Sequence, residues 1–84
     1  MVLSDRVYEI LRRYRKSEVV LPEDENILYS FAGIGVATFG FRDVGGQPVE
    51  TAWLTADGRS MLNREGIYRS RIRRMLHSLV NTLS

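Results

Sequence analysis

The charge of this chain is segregated along its length, and the period of its apolar residues changes with the charge. Residues 1–17 carry Arg6, Arg12, Arg13, Arg15 and Lys16 against Asp5 and Glu9, a balance of +3. Residues 18–58 carry Arg42 against Glu18, Glu23, Asp24, Glu25, Asp43, Glu50 and Asp57, a balance of −6. Residues 59–84 carry Arg59, Arg64, Arg69, Arg71, Arg73 and Arg74 against Glu65, a balance of +5. The net charge of +2 therefore conceals two basic ends and an acidic middle. The ends repeat their apolar residues with helical spacing, and much of the middle alternates as a strand does.

The first segment has the signals of a helix. Ser4 is a natural N-cap, and Asp5 falls in the first turn, where the helix dipole favours negative charge. Leu3 and Tyr8 are spaced for a hydrophobic staple. Val7, Ile10, Leu11 and Tyr14 follow an i, i+3, i+4, i+7 pattern, which is one apolar stripe ending near Ser17. The last segment reads as a long helix capped at Asn63 or Ser60. Tyr68, Ile72, Met75, Leu76, Leu79 and Leu83 fall within about 100° on its wheel. Arg69 and Arg73 flank one side of that stripe, Arg64 and Arg71 the other, and Arg74 points outward.

Residues 34–43 and 48–56 form a hairpin pattern around Asp43-Val44-Gly45-Gly46-Gln47-Pro48, with Asp57-Gly58 as a closing turn. The segment 22–32 supports two structures. Pro22-Glu23-Asp24-Glu25 resembles a helix start, with the helix running to Ala32 and ending at Gly33. Ile27, Tyr29 and Phe31 also alternate along a strand, and their aromatic and β-branched character favours the strand. The resulting order is α-β-β-β-α. This is one small α+β domain over residues 1–84, two-layered, with a three-stranded antiparallel sheet and two helices on one face. Phe39, Leu76 and Leu79 are expected at the centre of its core. Double-stranded-RNA-binding domains share this order of elements. Their second helix opens on a lysine-rich motif, whereas the matching segment here is Asn63-Arg64-Glu65-Gly66-Ile67-Tyr68-Arg69, so the order alone assigns no family.

With 84 residues, folding buries only about 60–65% of the unfolded surface. The chain has no cysteine and one histidine, so neither a disulfide nor a tetrahedral zinc site of ordinary ligands can reinforce the core. No apolar run approaches the ~20 residues that span a bilayer, and the N-terminus lacks the pattern of a secretory signal. These features set the expectation of a cytoplasmic protein without a membrane partner. Eleven of the twelve cations are arginine, which favours planar, bidentate contacts with carboxylate or phosphate.

The chemistry-bearing patterns are sparse. Gly33, Gly35 and Gly40 lack the spacing of a nucleotide loop, and a strand pattern follows them where that loop must open a helix. Glu23-Asp24-Glu25 lacks the alternating ligands of a calcium loop and reads as a solvated loop or first helical turn. His77 lies on the outer face of its helix, with no acid within a turn to orient it. No catalytic, cofactor-binding or metal-binding residue is assigned, and no small-molecule substrate is indicated. Both faces of the sheet carry apolar residues: Ala37, Phe39 and Phe41 against Val36, and Trp53 and Val49 against Leu54 and Ala52. A face left uncovered by the helices is either closed over by the loop 18–26 or serves as an interface, as exposed apolar patches usually do. The expected function is a non-enzymatic accessory or regulatory role through protein–protein contact, a homodimer through the sheet included. The alternative is an RNA- or DNA-binding module using the arginines of the terminal helices. Candidate partner-binding residues are Arg12, Arg13, Arg69, Arg73, Arg74 and Trp53.

Overall fold

In the computed structural model, which describes the backbone of residues 3–83 and the side chains of residues 3–80, helix α1 (Asp5–Arg13) starts at its sequence cap. Ser4 is extended, and its Oγ accepts a 3.2 Å hydrogen bond from the Val7 N–H, satisfying one of the free amides of the first turn. Ile10, Leu11 and Tyr14 point into the core. Leu3, Val7 and Tyr8 pack at its margin.

After α1 the chain makes the short strand β1 (Glu18–Val19) and a 3-10 turn (Pro22–Asp24), then helix α2 (Glu25–Gly33). The strand expected over 27–32 is thus a helix, and β1 supplies the third strand of the sheet. Tertiary burial decides the matter. Leu28 and Phe31, three residues apart, both enter the core, and only helical spacing brings them to one side. Pro22 opens the preceding turn, where its missing N–H costs nothing.

Strands β2 (Ala37–Val44) and β3 (Gln47–Leu54) pair antiparallel from Ala37↔Leu54 to Val44↔Gln47. Gly45 and Gly46 close the hairpin with φ of +58° and +82°, the two left-handed residues that a tight two-residue hairpin requires. β1 adds to the other side of β3 through Glu18↔Ala52 and Val19↔Thr51, giving the order β1-β3-β2. Ala37, Ala52 and Leu54 share the sheet face that the helices cover, and with Ile10, Leu11, Tyr14, Leu28, Phe31, Val36 and Leu62 they form the core. The opposite face carries Thr38, Gly40, Thr51 and Trp53. The Trp53 ring lies over Gly40 so closely that a Cβ there would sit 2.8 Å from it. The fold is mixed α+β in two layers, as the element pattern indicates.

Helix α3 (Ala56–Leu83) begins earlier than its sequence caps suggest. Thr55 is the cap: its Oγ1 accepts from the Gly58 N–H at 3.1 Å and donates to the Gly35 carbonyl at 2.6 Å. Asp57-Gly58 is therefore the first turn of the helix and not a loop. Gly58 is required by close approach, since a Cβ at this position would lie 2.1 Å from the Val36 carbonyl oxygen. α3 packs on α1 and β3 as far as Arg69, with Leu62 in the core. Beyond that point Arg71 and Arg74 still share a groove with Arg12 and Arg15, but every described residue from Ser70 to Val80 is exposed. Leu76 and Leu79, expected in the core, are 59% and 56% exposed. The apolar stripe is real, but the body beneath it ends. The backbone from Ser70 to Leu83 forms an arm about 21 Å long at 1.5 Å per residue, and the molecule measures 60 × 25 × 18 Å.

Candidate functional site

The six candidate residues separate into anchors and free groups. Arg69 is an anchor. It donates to Asp5 Oδ1 at 2.8 Å and to the Leu3 carbonyl at 2.9 Å, and its guanidinium lies 4.2 Å from the centre of the Tyr8 ring. Its Nε is 3.3 Å from the buried Glu65 carboxylate, which also accepts from the Leu3 N–H at 3.1 Å. The hydrogen bond to Asp5 raises the pKa of Arg69 above its ordinary value. This cluster ties the start of α1 to the middle of α3. It leaves Arg69 no free fork for a partner.

Arg13 is a second anchor. It donates to the carboxylate of Asp24, a fully buried acid that also accepts a 2.7 Å bond from the Tyr14 hydroxyl. That hydrogen bond raises the pKa of Arg13. Asp24 is thus not part of a solvated run; only its neighbours Glu23 and Glu25 are exposed. Trp53 is half-buried over Gly40 on the far sheet face.

Arg12, Arg73 and Arg74 remain. Arg12 and Arg74 meet across a groove of about 790 Å³ between α1 and α3, together with Arg15 and Arg71. Arg73 lies on the other flank of α3, at the margin of the apolar stripe beside Ile72 and Leu76. Arg15 and Arg71 are the residues that sequence reasoning passed over. Arg71 and Arg74 have an i, i+3 spacing that places them on one flank of α3, whereas Arg15 lies in the bend just past the C-cap of α1.

The arm itself is the second feature. Ile72, Met75, Leu76, Leu79 and Val80 form a continuous exposed apolar surface, with Arg71 and Arg73 along its two margins. From Gly66 to Ser84 the sequence contains arginine and histidine but no acid.

The third feature lies at the open end of the helix-covered sheet face. Tyr29 of α2 stacks on Phe39 with ring centres 4.7 Å apart, and its hydroxyl is 3.4 Å from both carboxylate oxygens of Glu50. Phe41 is paired in register with Glu50 and is 75% exposed. Asp43 shares this face by alternation. Burial raises the pKa of the Tyr29 phenol, and the charges of Glu50 and Glu25 raise it further. The patch is therefore aromatic and negative, the inverse of the arm.

No protein-family model, curated protein or solved structure matches the chain. Among the described residues there is no group of three or more histidine, cysteine or acidic side chains placed to hold a metal ion, and no helix long and apolar enough to cross a membrane.

Proposed function

We propose that the protein acts by protein–protein contact without catalysis, and that its contact is with a second copy of itself: the arm of α3 lies on the aromatic, acidic patch of the partner copy. The observation that carries this reading is the stripe from Ile72 to Val80 near the end of a long helix, whose apolar side chains the other described residues leave exposed. Charge complementarity selects the occupant. An arm-to-arm pair would oppose Arg71, Arg73 and Arg74 to their own copies, whereas the patch offers Phe41 and Tyr29 beside Glu25, Asp43 and Glu50. Opposed potentials of this kind steer association and suppress like-charge pairing.

Magnitudes favour a reciprocal dimer over a single contact. Five stripe side chains, about half exposed, contribute roughly 1 kcal/mol each on full burial. One arm, at about 5 kcal/mol, barely offsets an association cost of about 4–15 kcal/mol. Two arms related by a twofold axis, at about 10 kcal/mol, leave a surplus of about 6 kcal/mol at the low end of that cost. That surplus corresponds to a dissociation constant on the order of tens of micromolar.

Light scattering across 5–500 µM protein tests the proposal. The expected mass rises from the 9.6 kDa chain to twice that value, and Leu76→Asp holds it at the monomer. A monomer throughout the range would refute self-association. A dimer that Leu76→Asp leaves intact would refute the arm as its seat.

A further inference from the structure

We propose that the groove between α1 and α3 binds the phosphate backbone of a single-stranded nucleic acid. This site shares Arg71 and Arg74 with the arm but none of the arm's apolar stripe, and it does not rest on the dimer reading.

The groove is lined by Arg12 and Arg15 on one bank and Arg71 and Arg74 on the other. Asn63 and Ser70 add neutral polar groups, and among the described residues no carboxylate lines it. Elsewhere in the molecule, Arg64 and Arg73 aside, the arginines are engaged. Arg6 donates to the Glu23 carbonyl, Arg42 to that of Ser17 and Arg59 to that of Leu54, while Arg13 and Arg69 hold Asp24 and Asp5. Arg15, Arg71 and Arg74 form no ion pair with any described residue. Arg12 pairs with Glu9, 3.4 Å away on the same exposed helix face, and lies 5.8 Å from the centre of the Tyr8 ring. Four guanidinium groups facing one channel repel one another, and an anion in the channel relieves that repulsion.

The form of the anion follows from the walls. Guanidinium forks match phosphate oxygens two at a time. A strand carries one such group per nucleotide, so a single ligand reaches both banks. Ile67 is exposed within the same lining and gives an aliphatic surface against which a base can pack beside the basic channel.

Fluorescence anisotropy with a labelled twelve-nucleotide oligothymidylate and the matching oligouridylate tests the site, with a glutamate peptide of equal charge as competitor. Binding is expected at 50 mM salt, with a log–log salt slope near −2.8, which is about 0.7 for each of four phosphates. The double variants Arg12→Gln/Arg15→Gln and Arg71→Gln/Arg74→Gln should each weaken binding at least tenfold and flatten the slope by about 1.4. Circular dichroism should confirm that both retain their helix. Arg73→Gln, outside the groove, should stay within twofold. Leu76→Asp should bind the oligonucleotide as the wild type does, which separates this site from the dimer contact. Absence of binding at 50 mM salt, unchanged affinity in both double variants, or tighter binding of the glutamate peptide than of either oligonucleotide would overturn the assignment.

Discussion

The Tyr14 hydroxyl donates a 2.7 Å hydrogen bond to Asp24 Oδ2 and accepts one of 3.0 Å from the Leu21 N–H. This phenol joins the end of α1 to the turn that launches α2, and Asp24 beneath it is completely buried. Tyr14→Phe leaves both a buried carboxylate and a backbone amide short of a partner. The expected loss is about 1–3 kcal/mol in urea unfolding. Asp24→Ala, which orphans the Tyr14 hydroxyl instead, should cost a similar amount. A loss below about 0.5 kcal/mol for both variants would mean that the link is not structural.

The same phenol sets an alkaline limit. Burial raises the Tyr14 pKa above its ordinary 10.0, and the Asp24 carboxylate raises it further against the lowering effect of the Leu21 amide. The folded protein thus keeps the phenol protonated at a pH where the unfolded chain has released it. The stability this contributes is complete below pH 10.0 and declines as pH rises through the folded value. Denaturant unfolding between pH 9 and pH 11.5 should show a decline that is shallower in Tyr14→Phe. Parallel curves for the two proteins would contradict this.

Leu62 and Leu76 lie two heptads apart on one helix and should behave differently. Leu62 is buried in the core and Leu76 is exposed on the arm. Leu62→Ala should cost about 2–4 kcal/mol. Leu76→Ala, measured at low micromolar concentration where the chain is a monomer, should change stability by under about 0.5 kcal/mol. Equal losses would place the arm against the body.

Gly58 reverses the usual rule for helices. Glycine to alanine within a helix ordinarily gains about 1 kcal/mol. Here the added Cβ would meet the Val36 carbonyl oxygen at 2.1 Å and the Leu54 side chain at 3.1 Å. Gly58→Ala should therefore destabilise the fold by about 1–3 kcal/mol, while Gly33→Ala, with nothing within 4 Å, should not. A neutral Gly58→Ala would show that α3 can shift away from Val36 and β3.

These elements also show what a sequence of this kind discloses. The Ser4 cap, the stripe of α1 and the Gly45-Gly46 hairpin are local signals, and each forms as its residues dictate. Segment 22–32 carries two local patterns of similar strength, and the burial of Leu28 with Phe31 decides between them, which no local pattern contains. The start of α3 was masked by Gly58, a turn residue in most settings that serves here for close approach. Leu76 and Leu79 have core periodicity, but periodicity records an apolar face and not what covers it. The same holds for the arginines. Their spacing gives the flank they occupy, while the pairing of α1 with α3 decides that Arg12 and Arg74 meet and that Arg69 is consumed by Asp5 and Tyr8.

The central claim, that the arm of one copy lies on the aromatic patch of another, is tested most directly by disabling each side of the contact in turn. Leu76→Asp removes the arm and Phe41→Asp removes the patch, and both residues are exposed, so each variant should fold. Either change breaks both halves of the twofold contact. By sedimentation equilibrium each variant should therefore remain a 9.6 kDa monomer at a concentration where the wild type is a dimer. A Phe41→Asp or Leu76→Asp variant that dimerises as the wild type does would contradict the account.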